Sequence, residues 1–111
     1  MSAPTKPTDG RRVLVIDDNV DHVRILAVLL SDMGHRVEVA LNGHSGLDAA
    51  RRFRPDVGLL DLGLPDIDGA EICRKLRQVR TKPYQYLIML TAKDQTQDLV
   101  EGIESGADDY L

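Results

Sequence analysis

Three short apolar runs, each closing on an acid or a hydroxyl at its last or next-to-last position, most constrain what this chain can fold into. They are RVLVID (12–17), DVGLLD (56–61) and YLIMLTA (86–92). Each is nearly continuous in apolar residues and too short for a helix of ordinary length. That pattern belongs to strands buried on both faces of a sheet. A fourth run, HRVEVA (35–40), alternates apolar and polar residues, as a strand nearer a sheet edge does. Between the runs the period changes. Asn19 or a neighbour can cap a helix in which Val23, Leu26, Leu30 and Met33 recur at helical spacing, with Gly34 as the stop. Asn42 opens a second helix carrying Leu47, Ala50 and Phe53, closed by Pro55. A third runs from Gly69 to about Val79 with Ile72, Leu76 and Val79 on its apolar side. Asp94 and Gln97 form a capping box for a fourth, whose stripe is Val100, Ile103 and Ala107. Residues 108–111 begin one more strand.

Strand and helix therefore alternate four times, followed by a fifth strand. Such alternation predicts an α/β fold, a mostly parallel sheet with helices on both faces and right-handed crossovers. The 111 residues suit one domain, over 11–111, preceded by a polar tail over 1–10 (MSAPTKPTDG) that reads as disordered. No run approaches the roughly 18–20 apolar residues of a membrane span, and no leader pattern opens the chain, so the expectation is a cytoplasmic protein without a membrane partner. A net charge of −4 argues against direct nucleic-acid binding by this domain. The single cysteine, Cys73, sits in a helical pattern beside Ile72 and Leu76 and is expected in the core. His22, His35 and His44 have no metal-ligand spacing.

In open α/β sheets, sites form beyond the carboxyl ends of the strands. Asp17 and Asp18 end the first strand, Asp61 the third, and Thr91 the fourth. A single acid at such a place is most simply a helix cap. Three on two strands, with a hydroxyl on another, point instead to a site. Two like charges about 4 Å apart at an effective dielectric near 20 repel by on the order of 4 kcal/mol. A divalent cation removes that conflict, and a few hard oxygen ligands with room for water and a phosphoryl group describe magnesium, with Mn2+ as the alternative ion.

The ordered pieces VLVIDDN, PDVGLLDLGLPDIDG, LIMLTAKD and GADDYL, spanning residues 12–111, resemble the receiver domain of two-component response regulators. The resemblance implies a doubly wound, three-layer α/β/α fold with strand order 2-1-3-4-5, an order seen in a member of that family. It implies Asp61 as phosphoacceptor, Asp18 as direct magnesium ligand, Asp17 as the acid that helps hold the metal, and the Gly63 backbone carbonyl as a further ligand. Thr91 matches the hydroxyl that bonds the phosphoryl group, and Tyr110 the aromatic switch that turns inward when that hydroxyl moves. Pro65 and Gly69 match the turn after the phosphoacceptor. The implied donor is a histidine kinase or a histidine phosphotransfer protein. The implied recipients of the signal are an output domain or partner protein, and homodimerisation is compatible with this reading. Lys93 and Gly63 border the phosphate position, where residues tune acyl-phosphate lifetime.

The family pattern continues past Tyr110-Leu111 with a lysine and a fifth helix that this sequence does not contain. The free fragment is accordingly expected to be marginal or unfolded. Three explanations of the missing pieces compete: a cut from a longer protein, which is favoured, cover of the bare face by a neighbouring chain, or a degenerate receiver. Two rival functions remain. One is a pseudo-receiver that binds partners without accepting phosphate. The other is a magnesium-dependent phosphohydrolase, which wants D-x-D after its first strand where this chain has Asp17-Asp18-Asn19. A flavin or nucleotide binder is disfavoured, because acids after the first strand repel phosphate.

Overall fold

The structure, a computed structural model, describes residues 10–61, 63–79, 86–90 and 109–110, with residues 79, 89, 90, 109 and 110 given by their backbone. The elements are β1 (Arg12–Ile16), α1 (Val20–Asp32), β2 (Arg36–Ala40), α2 (Gly43–Phe53), β3 (Val57–Asp61), α3 (Gly69–Val79), β4 (Tyr86–Leu90) and β5 (Asp109–Tyr110). The expected fourth helix over 94–107, the tail over 1–9 and Thr91 lie outside the described residues. The strands form one sheet in the order β2-β1-β3-β4-β5, and every pairing is parallel. This is the doubly wound order that the resemblance implied.

Successive strand residues face opposite sides of the sheet, so each strand feeds two cores. Leu14, Ile16, Leu60 and Leu87 are at most 1% exposed on the side covered by α2 and α3, together with Ile72, Cys73 and Leu76. Val13 and Val15 bury on the other side against Val23 of α1. The two sides are not equally covered. Val57 and Leu59 of β3 and Ile88 of β4 are half-buried, and Tyr86 is 47% exposed. The sequence pattern had β3 and β4 buried on both faces. They depart from it because, among the described elements, the helix on that face, α1, packs over β1 and β2.

Asn19 caps α1 as expected, its side-chain oxygen accepting from the N–H groups of Asp21 and His22. Val23 is buried, and Leu26 and Leu30 are partly buried against it. Met33 was placed on the same stripe, but it is 68% exposed. It is the C-cap residue, with φ −82° and ψ 0°, so its side chain has left the helical register. Gly34 follows at φ 95°, a left-handed position that glycine takes without a Cβ clash.

Helix α2 is seated closely on the sheet. A Cβ on Gly46 would lie 2.5 Å from Ile16 Cδ1, so only glycine permits that approach of α2 to β1. Its N-terminus is capped by Asn42, whose Oδ1 accepts from Ser45 N–H at 2.9 Å. Its C-terminus closes at Arg54, a non-glycine residue at φ 56°, immediately before Pro55. Arg12 ties that end to β1: Nε donates to Phe53 O at 2.7 Å, and the guanidinium carbon lies 4.5 Å from the Phe53 ring centroid.

Candidate functional site

The register between β1 and β3 builds the site. Ile16 pairs with Leu60 across the two neighbouring parallel strands, so the next residues, Asp17 and Asp61, emerge side by side at the carboxyl edge. Asp18 follows directly. One carboxylate oxygen from each of Asp17, Asp18 and Asp61 lies within 4.8 Å of the others. The three differ in exposure: Asp17 is buried at 6%, Asp61 is half-buried and Asp18 is exposed.

Asp17 is fixed by local bonds. Its backbone N–H donates to Ala40 O at 3.1 Å, and its Oδ1 accepts from Asn19 N–H at 2.9 Å. Its Oδ2 lies 3.4 Å from His22 Nδ1 on the first turn of α1. Asn19 thus holds Asp17 with its backbone while its side chain starts α1. Asp61 accepts from Gly63 N–H at 3.1 Å through Oδ1. Burial pushes the Asp61 carboxyl above its ordinary range, and the negative charges of Asp17 and Asp18 add to that rise. The Gly63 N–H opposes it.

Such a cluster suits a hard divalent cation. The donors are all carboxylate oxygens, one from each residue lying within 4.8 Å of the others, and burial together with the neighbouring charges raises the half-buried Asp61 carboxyl. Leu90, the residue before Thr91 in sequence, is the β4 partner of Asp61. Thr91 and Lys93 are outside the described residues. Tyr110 is described by its backbone, which pairs with Met89 in β5.

A fourth carboxylate, Asp66, stands apart from the cluster and serves α2. It accepts from Gly43 N–H at 2.8 Å through Oδ1 and from His44 N–H at 3.0 Å through Oδ2. His44 Nδ1 lies 2.6 Å from the same Oδ2. Two acceptors cannot share that contact, so Nδ1 carries the proton and donates. These bonds hold the Asp66 carboxyl far below the usual carboxylate range, the Gly43 N–H contributing most. The sequence pattern did not reveal this contact. Asp66 sits in a loop 22 positions from His44, and only a fold that stacks α2 beside α3 brings them together.

Residues 13–111 match the family described as the response regulator receiver domain. The chain belongs to the response regulator receiver family. The DNA-binding response regulator MtrA of Mycobacterium tuberculosis is 44% identical over 104 residues, covering 94% of this chain and 44% of MtrA. The chain thus spans about half the length of the curated relatives it matches. Among solved structures, the CheY-like receiver domain protein of Methanospirillum hungatei superposes with a TM-score of 0.86 at 28% identity, covering 93% of this chain and 81% of that one. A response regulator of Burkholderia pseudomallei, solved with a phosphorylated aspartic acid, calcium ion and citrate, gives 0.85 at 29% identity, covering 91% and 58%. Receiver domains are regulatory signalling modules of two-component systems, not enzymes in the ordinary sense. Among the described residues, no helix of this receiver domain is long and apolar enough to cross a membrane.

Proposed function

We propose that this receiver domain, taken as residues 11–111, is a phosphoacceptor switch whose nucleophile is Asp61. The observation that carries the reading is the convergence of the Asp17, Asp18 and Asp61 oxygens at the carboxyl edge of β1 and β3. The Burkholderia relative, of the same fold, was solved with a phosphorylated aspartic acid and a calcium ion, which supports this reading.

Asp17 and Asp18 would hold Mg2+ together with Asp61, and the Gly63 carbonyl is assigned to the same ion by family likeness. When bound, the ion cancels carboxylate charge and the charge that develops on the phosphoryl oxygens. The chain's own groups do the rest. An Asp61 oxygen attacks the phosphorus of a phosphohistidine on a histidine kinase or histidine phosphotransfer protein. The new O–P bond forms as the P–N bond breaks, and its electron pair returns to the imidazole nitrogen. The end of a hydrogen-bonded strand keeps the nucleophile in one orientation, and Gly63 N–H selects which oxygen is held. Thr91 would bond the new phosphoryl group, and Tyr110 would turn inward in response, changing the surface around β5. Output would pass to an attached domain or a partner, in the cytoplasm. The MtrA relative is a DNA-binding regulator, and a DNA-binding output fits a longer protein of that kind.

The test is incubation with acetyl phosphate, with and without Mg2+, followed by intact-mass measurement and hydroxylamine treatment. A hydroxylamine-labile phosphoryl adduct that needs Mg2+ and disappears in Asp61→Asn is the expected result. No adduct on the wild type would favour a pure interaction module. An adduct that survives Asp61→Asn would refute the choice of nucleophile.

A further inference from the structure

The loop between β3 and α3 leaves Asp61 and must hold Gly63 in place, yet its described residues, 63–68, form no helix or strand. Two kinds of contact restrain it. Leu64 is buried in the core beneath α2 and α3, and Ile67 packs against that core. Such apolar contacts are non-directional and tolerate sliding. The directional restraint to α2 comes from Asp66, three residues after Gly63, through its bonds to Gly43 N–H, His44 N–H and His44 Nδ1. Between them, Pro65 stiffens the segment by fixing its own φ.

The helix side of the contact is equally close. A Cβ on Gly43 would lie 2.8 Å from Ile72 Cδ1, 3.1 Å from Ile67 Cβ and 3.2 Å from Asp66 Oδ1. The start of α2, the loop and the first turn of α3 therefore meet with no space for a side chain. Asp66 satisfies two of the N–H groups that the first turn of α2 leaves unbonded, and Asn42 satisfies a third at Ser45.

We infer that Asp66 is a positioning residue for the phosphoacceptor site, pinning the β3–α3 loop to α2 so that Gly63 N–H stays on Asp61. The inference rests on the assignment of Asp61 as phosphoacceptor and concerns how that site is held. It makes α2 a mechanical support of the acidic cluster, although α2 contributes no residue to it.

The test compares Asp66→Ala, Asp66→Asn and Asn42→Ala with the wild-type full chain. Two quantities are read: Mg2+ affinity by titration calorimetry, and the rate of adduct formation from acetyl phosphate at saturating Mg2+. Asn42→Ala is the control, because it uncaps the same helix without touching the loop. Asp66→Ala is expected to weaken Mg2+ binding about tenfold, the low end for residues one layer out from a metal, and to slow adduct formation. Asp66→Asn, which keeps an acceptor oxygen, should recover part of both. Asn42→Ala should lower the melting temperature while leaving Mg2+ affinity within about twofold of wild type, well short of the change expected one layer out from a metal. The inference is overturned if Asp66→Ala matches wild type in both readouts, or if Asn42→Ala weakens Mg2+ binding as much as Asp66→Ala does. Wild-type protein that binds Mg2+ but forms no adduct would refute the phosphoacceptor assignment, and the Mg2+ comparison among variants would still decide the role of Asp66.

Discussion

Gly63 donates its backbone N–H to Asp61 Oδ1 across 3.1 Å, and among the described residues it is the one contact on the Asp61 carboxyl that favours the charged form. Burial and the neighbouring Asp17 and Asp18 all act the other way. The charged form of the candidate nucleophile is therefore disfavoured by its surroundings, with consequences for stability that can be measured.

Removing the Asp61 charge should stabilise the metal-free protein. A carboxyl whose folded-state pKa is raised contributes stability below the unfolded value, about 3.9, and loses it as pH rises through the folded value. Asp61→Asn lacks that loss. In EDTA at neutral pH it should melt above wild type, by a margin that narrows as pH falls through the raised folded value and is gone below about 3.9. Thermal melts across pH measure this, and a metal-free variant that melts below wild type at neutral pH would contradict the crowding.

Magnesium should act through the same three residues. Ligand binding to the folded state alone stabilises by about 2.7 kcal/mol at a hundred times Kd, and about 4–8 °C of melting temperature accompanies each kcal/mol in a domain near this size. Wild type should show that rise on Mg2+ addition. Asp17→Asn and Asp18→Asn should show much less of it at equal Mg2+. Equal shifts in all three proteins would place the ion elsewhere.

Asp66 should have the opposite pH signature to Asp61. Its carboxyl is held below the usual range, so its contribution is present above about 3.9 and is lost as pH falls toward the depressed folded value. Asp66→Asn should melt below wild type at neutral pH, with the gap narrowing under acid conditions. A gap that widens on acidification would mean that the charge on Asp66 does not support α2.

Glycines 46 and 63 should respond differently to alanine. At Gly46 the new methyl meets three Ile16 carbons within 3.0 Å, the nearest at 2.5 Å, and overpacking of this kind costs about 1–3 kcal/mol. At Gly63 the nearest atoms among the described residues are the Asp61 carboxylate oxygens at 3.8 and 3.9 Å, so Gly63→Ala should stay within about 0.5 kcal/mol of wild type. Denaturant titration of both variants checks the contrast.

Much of this architecture was legible from local pattern. The apolar runs marked β1, β3 and β4, and Asn19 and Asn42 marked the caps of α1 and α2, because strand burial and N-capping depend on residues close in sequence. Asp17, Asp18 and Asp61 could be named because a parallel sheet carries all its strand ends to one edge. The order of the strands came from the family resemblance, since periodicity carries no information about which strands are neighbours. Contacts between elements stayed hidden. Nothing local to Asp66 announces that it caps a helix 22 residues upstream, and nothing local to Val57 or Tyr86 tells how far α1 extends across the sheet. Met33 misled because it follows the spacing of its helix while lying one residue past the last turn.

The crowding around Gly43 bears on how this sequence can drift. A hydrogen atom is all that separates the first residue of α2 from Ile67, Ile72 and Asp66. Bulk gained at position 43 must be surrendered at 67 or 72, and a helix displaced to make room would leave its own start uncapped. Substitutions at these four positions should therefore accumulate as correlated sets, with single replacements rare in natural homologues that keep the aspartate.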